Sequence, residues 1–540
     1  MPMTTAAAIS GVSDDNFSAW ADFKAWMDVA FSRALAVGSH AVHAADPTAY
    51  AAIEGGQVPG WGGYDYSRLA TAVDAIELYD GGGNMEIARS LNPGMIILTT
   101  SSGSGLAAVH QLWQEFLRGA RGTILWDPKG DIVRDDGSVS DRGRDLAGPL
   151  RDLRSGLGAL LVNSPRETAP IAILYSPASL RTQWMLDWQP WGDAWSRRDS
   201  DADYEDASAV RSSLVGFLRL FEHLGIAPQV VTRERLEAGD LEKNGLRLLV
   251  LPRAIALSPG EAAAVRRFLG KGGTVIVDGE PGLFDQHSRR FKKPPLADLF
   301  RSAGDAPSPR VANRSGQIRY LDPLRGARGD DGGCGFGLPA FDDMAEFLEQ
   351  ARLAPTVTLR NSAGKRAADS EISIFRQGSA TIVALQPDPV CAGDALAQDG
   401  GRVALTLDHA QHVHDLIARA DLGRTDRVEL TLDPAAPAML VISDRRIMPV
   451  AVAAPAKMRL GEMAELKFAS ARPWSVLHID IVDPAGQLVA PYSGNLRFHG
   501  GQGRKDIPFA LNDPVGSWEI RVRDILTGDI TTRRIRVSPP

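Results

Sequence analysis

The strongest constraint in this chain is a change of hydrophobic period part-way along it. From Phe17 to about Asp278, short unbroken apolar runs alternate with segments whose apolar residues recur every three or four positions. Beyond about residue 356 only short strand-like runs separated by turns remain. The first pattern calls for strands covered by crossover helices, which means a parallel sheet or barrel. The second calls for antiparallel sheets packed face to face. The chain is therefore multidomain, α/β and then β, and its 540 residues suffice for three or four domains at about 150 residues each.

The first α/β segment opens with Phe17, Trp20, Phe23, Met27, Phe31 and Leu35 on one helical face. A short apolar stretch, Tyr50-Ala-Ala-Ile53, ends at Glu54-Gly-Gly, and a helix from about Tyr66 leads into Asp74-Ala-Ile-Glu-Leu-Tyr79. Met95–Thr100 reads as a strand, followed by a Gly/Ser loop, a helix around Leu106–Leu117 and a strand Gly122–Trp126. The second segment, 168–305, repeats the pattern with strands at Ile171–Tyr175, Pro228–Val231, Leu246–Leu251 and Thr274–Asp278. Within it, Ser258-Pro259-Gly260-Glu261 supplies an N-cap, a first-turn proline and a capping-box acid in order. Residues 306–355, rich in Gly, Arg, Asp and Pro, read as a linker or insert. The remainder divides into a β domain at 356–445 and an immunoglobulin-like β-sandwich at 446–540.

Composition narrows the partners. Lys plus Arg is 59 and Asp plus Glu is 66, a formal net charge of −7 with no basic runs, which argues against nucleic acid. Two cysteines, Cys334 and Cys391, cannot build a disulfide framework or a four-cysteine zinc site. No apolar run of about 18 residues is present, and the amino terminus lacks the basic start and apolar core of a signal peptide, so the expected location is cytoplasmic and off the membrane.

Glu54 stands where a strand runs into Gly55-Gly56-Gln57, the carboxyl end of an α/β strand, where barrel enzymes place their working groups. It is the candidate catalytic carboxylate. Gln57, Trp61, Tyr64 and Asp65 crowd the same loop; aromatic faces with amide and carboxylate groups suit sugar rings, and equally suit a packed loop. Gly103-Ser-Gly-Leu-Ala-Ala108, with Asp127 about 20 residues on, matches a dinucleotide fingerprint, but a tight strand-to-helix turn explains it more simply. His40 and His43, and His409, His412 and His414, form short clusters without a metal-ligand spacing, and surface or turn roles fit them better. No G-x-S-x-G elbow occurs. No metal and no cofactor is expected.

In order, Glu54-Gly-Gly-Gln57, Gly63-Tyr-Asp-Tyr-Ser-Arg-Leu69, Asp74-Ala-Ile-Glu-Leu-Tyr79, Arg89-Ser-Leu-Asn-Pro93, Gly122-Thr-Ile-Leu-Trp126 and Asp141-Arg-Gly-Arg-Asp-Leu-Ala147 resemble segments of family 42 glycoside hydrolases, β-galactosidases that carry a trimerisation domain. The resemblance implies that 1–163 is the carboxyl-terminal half of a (β/α)8 TIM-type barrel. It also implies that 168–305 is a flavodoxin-like trimerisation domain with the fold of class I glutamine amidotransferases. Leu251-Pro-Arg-Ala254 stands where an amidotransferase would present its cysteine, so glutamine hydrolysis is not implied. The family's acid/base glutamate would fall before Met1, and the strand matching its nucleophile, Ile97-Leu-Thr-Thr-Ser-Ser102, has no glutamate. Three readings follow: a glycosidase completed by a partner chain, a member whose carboxylates have moved, with Glu54 recruited, or a non-catalytic sugar-binding or assembly subunit. An exposed half barrel leaves open edges and a bare apolar face, which favours a homo-oligomer or a partner chain over a free monomer.

Overall fold

The computed structural model describes residues 16–56, 64–79, 83–101, 103–127, 130, 132–188, 208–300, 310–312, 318–320, 336, 338–388, 400–472 and 474–540. Gln57, Trp61, Cys334 and Cys391 lie outside these residues. A first helix, α1 (Ser18–Ala45), precedes a parallel sheet built from β1 (Ala52–Gly56), β2 (Ala75–Leu78), β3 (Ile96–Ser101) and β4 (Gly122–Leu125) in sequential order. Between the strands run α2 (Tyr66–Ala72), α3 (Asn84–Leu91) and α4 (Gly105–Arg118), and α5 (Asp141–Asp152) follows. Alternation assigns the faces. Ile76, Leu78 and Ile97 turn towards the helices and pack with Leu69, Val73, Met85 and Ala88, so Glu77 and Thr100 belong to the opposite face. Among the described residues β1 and β4 are the two edges of this sheet.

The buried stripe of α1 is more polar than its sequence pattern predicts. Phe17 and Trp20 are buried, with Trp20 stacked on Trp184 at 4.7 Å, whereas Phe23 is exposed. Asp28 takes a buried position because Arg181 Nη1 donates to it at 2.9 Å. A buried charge is tolerable only when paired in this way.

The second sheet has the order β10-β9-β8-β7-β5-β6. Its strands are β5 (Ile171–Leu174), β6 (Gln229–Val231), β7 (Leu248–Leu251), β8 (Thr274–Val277), β9 (Arg310–Ala312) and β10 (Ile318–Tyr320). β5 to β8 are parallel, β9 and β10 antiparallel. Helices α6 (Pro177–Trp188), α7 (Ala209–His223) and α8 (Pro259–Gly270) cover it. Ile173, Val250 and Ile276 share one core with Phe217 and Phe221 of α7 and with the helix-side residues of the first sheet, so the two α/β units are packed together. Leu249, Leu251 and Val275 form the core on the other face with Val265 and Phe268 of α8.

The stretch read as linker or insert, 306–355, is more structured than that reading: it supplies β9, β10 and a helix, α9 (Leu338–Gln350). Phe341, Met344, Ala345 and Leu348 of α9 enter the shared core at helical spacing. Glycine- and proline-rich composition just upstream obscured a short amphipathic signal. Beyond it lie β11 (Val357–Asn361), β12 (Ser370–Gln377), β13 (Ala380–Pro387), β14 (Arg402–Asp415), β15 (Ala420–Thr431) and β16 (Ala438–Ser443) in one antiparallel sheet, order β11-β14-β16-β13-β12 with β15 on β14. The carboxyl-terminal residues form two further sheets. One holds β17 (Ala451–Ala453), β19 (Met463–Ala469) and β22 (Gln502–Pro508). The other has the order β18-β24-β23-β20-β21, from β18 (Lys457–Arg459), β20 (Trp474–Val482), β21 (Gly494–His499), β23 (Gly516–Asp524) and β24 (Ile530–Ser538). They enclose a core that includes Leu466, Phe468, Ile479, Phe509 and Trp518. No helix among the described residues is long and apolar enough to cross a membrane.

The capping box at the start of α8 forms as its sequence predicts: Ser258 Oγ accepts from Glu261 N–H and Glu261 Oε2 accepts from Ser258 N–H. Burial pushes the Glu261 carboxyl up to about 7 from 4.5. A raised acid pKa means the folded chain binds the extra proton. This stabilisation is complete below pH 4.5 and is lost as pH rises through 7. A glutamine in place of this acid would keep the acceptor oxygen and cannot ionise. Glu261→Gln is therefore expected to match the parent's stability near pH 4.5 and exceed it at pH 8, by at most about 3 kcal/mol. A gap that does not widen between those pH values in a thermal-melt series would refute this.

Candidate active site

The carboxyl end of the first sheet gathers two carboxylates on neighbouring strands. The β1–β2 register pairs Ile53 with Ile76 and Gly56 with Leu78, so Glu54 and Gly55 together oppose Glu77 in a β-bulge. Gly55 takes φ +72, a left-handed value that a side chain would resist. The bulge aims the Gly55 N–H at Glu77 Oε2, at 2.5 Å. From the other side, Thr100 Oγ1 of β3 donates to Glu77 Oε1 at 2.6 Å. Glu77 is buried, and both of its oxygens are held. Glu54 is exposed, on the strand about 4.8 Å away.

Two exposed aromatic residues stand at the carboxyl ends of strands of the same sheet. Tyr79 directly follows β2 and is 51% exposed; Trp126 directly follows β4 and is 55% exposed. Their positions are fixed by backbone contacts. Asn84 Nδ2 donates to Tyr79 O at 2.5 Å, and Trp126 N–H donates to Ser101 O at 3.0 Å. Arg142 of α5 binds three carbonyls, Gly103 O at 2.7 Å, Trp126 O at 2.7 Å and Ser101 O at 2.9 Å, and so ties together the chain after β3 and after β4. The result is a fixed carboxylate, an exposed one beside it, and flat apolar faces at the rim. This set can accept hydrogen bonds from hydroxyl groups and stack against the C–H face of a ring.

Of the residues that the sequence nominates, Glu54 lies in this group. Tyr64 is half-buried, its ring 5.5 Å from that of Phe31 on α1. Asp65 is buried and is the N-cap of α2, accepting from Ser67 N–H at 3.0 Å and lying 3.4 Å from Arg68. These contacts tie Tyr64 to α1 and Asp65 to α2. Glu77, Tyr79, Thr100 and Trp126 were not nominated. The signal was present for two of them, since Glu77 and Tyr79 alternate onto one face within Asp74-Ala-Ile-Glu-Leu-Tyr79.

The other motifs are engaged elsewhere. Asp127 accepts from Ile132 N–H at 3.1 Å and Val133 N–H at 3.4 Å, closing its own loop. His43 pairs with Asp74 at 2.8 Å, and that carboxylate also accepts from Ala51 N–H, fixing α1 to the start of β1. His409 pairs with Asp444 at 2.9 Å on the surface. Burial pulls the His414 imidazole below its ordinary pKa.

No known protein-family profile matches this sequence, and no curated protein matches it. Solved structures do match. The fold is similar to that of a β-galactosidase from Bacillus circulans sp. alkalophilus, with a TM-score of 0.54 and 11% identity over 78% of this chain and 68% of that one. An exo-carrageenase of family 42 from Bacteroides ovatus gives 0.49 at 14% identity, over 79% of this chain and 56% of that one. Gan42B, a family 42 β-galactosidase from G. stearothermophilus, gives 0.45 at 15% identity, over 71% and 61% respectively. At this level of identity the likeness is one of fold.

Proposed function

We propose that this chain is a glycoside-hydrolase-like protein of carbohydrate metabolism, β-galactosidase-like, whose sugar site lies at the carboxyl end of β1 to β4. The single observation that carries this reading is Glu77, a buried carboxylate held by Gly55 N–H and Thr100 Oγ1 next to the exposed Glu54. Glycoside hydrolysis uses two carboxylates flanking the scissile bond, one to transfer a proton and one to attack or stabilise the sugar. Glu54, open to solvent, takes the proton-transfer role. Glu77, already fixed, faces the anomeric carbon or accepts from a sugar hydroxyl. Gln57, Trp61, Tyr64 and Asp65 are the remaining sugar-binding candidates, and Tyr79 and Trp126 are additional stacking platforms. A (β/α)8 barrel has eight strands, so β1 and β4 are proposed to meet further strands supplied by additional sequence, a second copy or a partner chain.

The test is hydrolysis of an aryl-glycoside panel, β-galactosides included, by the chain alone and by the chain mixed with the product of the adjoining gene. Turnover is expected, and Glu54→Gln is expected to lower it by about 10²–10⁴-fold. Absence of both turnover and any sugar-dependent thermal shift would remove the proposal. A non-catalytic sugar-binding or assembly role has one observation in its favour: β3 presents Thr99-Thr100-Ser101 where the family resemblance would put a nucleophile. That second reading predicts sugar-dependent thermal shifts without turnover.

A further inference from the structure

Where the two α/β units meet the antiparallel sheet, His223 at the end of α7, Glu371 on β12 and Asp388 just after β13 converge, with one ligand-type atom from each lying within 4.8 Å of the others. All three are buried, and the His223 side chain is 0% exposed. His223 Nδ1 stands 2.7 Å from Ala368 O, and a carbonyl can only accept, so in the neutral ring the proton sits on Nδ1 and the lone pair on Nε2. Nε2 is wholly buried, makes no hydrogen bond of good geometry, and lies at ion-pair distance, 3.4 Å, from Asp388 Oδ2.

We propose that His223, Glu371 and Asp388 bind a divalent cation of the zinc or manganese class at this junction. Neutral imidazole nitrogen with two carboxylate oxygens is a donor set that such ions accept. Two ligands each about 2.1 Å from a tetrahedral ion stand about 3.4 Å apart, which is the separation of Nε2 and Oδ2. The outer contacts that orient metal ligands are also in place. Ala368 O fixes the imidazole tautomer, while Gln114 Nε2 and Arg118 Nη2, each at 2.7 Å, both donate to Oε1 of Glu371. The ion would join the last turn of α7 to the edge of the antiparallel sheet, so its role is to fasten one domain to another, separate from any sugar chemistry at β1 to β4.

The experiment uses the full chain, purified without chelator, incubated with zinc or manganese chloride and then desalted. Metal content is read by mass spectrometry, and thermal unfolding is followed with added metal and with EDTA. Retention of about one ion per chain, with a higher Tm in metal than in EDTA, is expected. Asp388→Asn and His223→Gln, each checked for native circular dichroism, should weaken binding by at least ~10-fold. Retention below about a tenth of an equivalent with an unchanged Tm overturns the proposal. So does binding that both variants leave undiminished, which would place the ion on surface histidines such as His409 and His412. Should neither variant fold, crystals of the parent chain decide: anomalous scattering from the added metal at His223 supports the site, and its absence there overturns it.

Discussion

Arg118→Met is expected to destabilise the fold by about 3–5 kcal/mol, which corresponds to a fall of roughly 6–20 °C in the first unfolding transition. Arg118 closes α4, and its guanidinium lies 2.7 Å from Glu371 of β12, 3.4 Å from Glu222 of α7 and 3.7 Å from Glu86 of α3. Each of those carboxylates is buried. Arg166 reaches Glu222 from the other side at 3.5 Å, and Arg89 donates to Arg118 O. Burial, with the neighbouring Arg166 charge, draws the Arg89 guanidinium down to about 10. Methionine fills the volume of the arginine stem and removes the charge, leaving Glu371 without its arginine and Glu222 with Arg166 alone. The destabilisation therefore comes from stranded carboxylates. Adding Glu222→Gln to Arg118→Met should cost less than the two single losses combined, because one stranded charge is then gone. Additive losses in chemical denaturation, or a Tm within about 2 °C of the parent, would refute the arrangement.

This network also marks where the sequence stops being informative. Periodicity locates the strands of both α/β units, and the Ser258–Glu261 cap is legible because its two reciprocal bonds span three residues. Glu86 and Arg89 stand three residues apart on one helix, yet Glu86 also lies 3.7 Å from Arg118 of the next helix. The partners of Arg118 lie as far as 253 residues along the chain, and no spacing rule reaches that distance. α9 was missed for a different reason: its 13 residues follow a stretch whose glycines and prolines dominate any window that includes both.

The same distinction separates Glu54 from Glu77. Glu54 was conspicuous because glycines follow it, a local mark of a strand end. Glu77 sits inside Ala75–Leu78, a strand buried at every position, where a lone acid reads as a break in the pattern. What identifies it is the pair of donors from β1 and β3, and those become neighbours only when the parallel sheet forms. A β-bulge in a parallel pair is uncommon, and this one spends the left-handed Gly55 to turn an N–H onto a carboxylate.

Glu77→Gln separates the catalytic reading from the structural one, since the amide preserves shape and removes charge. The glutamine oxygen can accept from Gly55 N–H while its NH2 donates to Thr100 Oγ1, a hydroxyl able to accept as well as donate. The fold should therefore lose no more than about 1–2 kcal/mol. On the proposed function, hydrolysis needs the Glu77 charge at the sugar's anomeric carbon, so turnover on a completed barrel is expected to fall by about 10²–10⁴-fold, with KM for the aryl glycoside changed far less than kcat. Glu77→Ala is the counterpart: it leaves the Gly55 N–H and Thr100 hydroxyl without their acceptor, and it should lower Tm as well as rate. If Glu77→Gln keeps full turnover while Glu54→Gln loses it, Glu77 is a strut for the bulge and the second carboxylate must come from the strands that complete the barrel. If Glu77→Gln loses turnover with its Tm intact, the chemistry runs through β2, one strand further into the sheet than the sequence alone suggests.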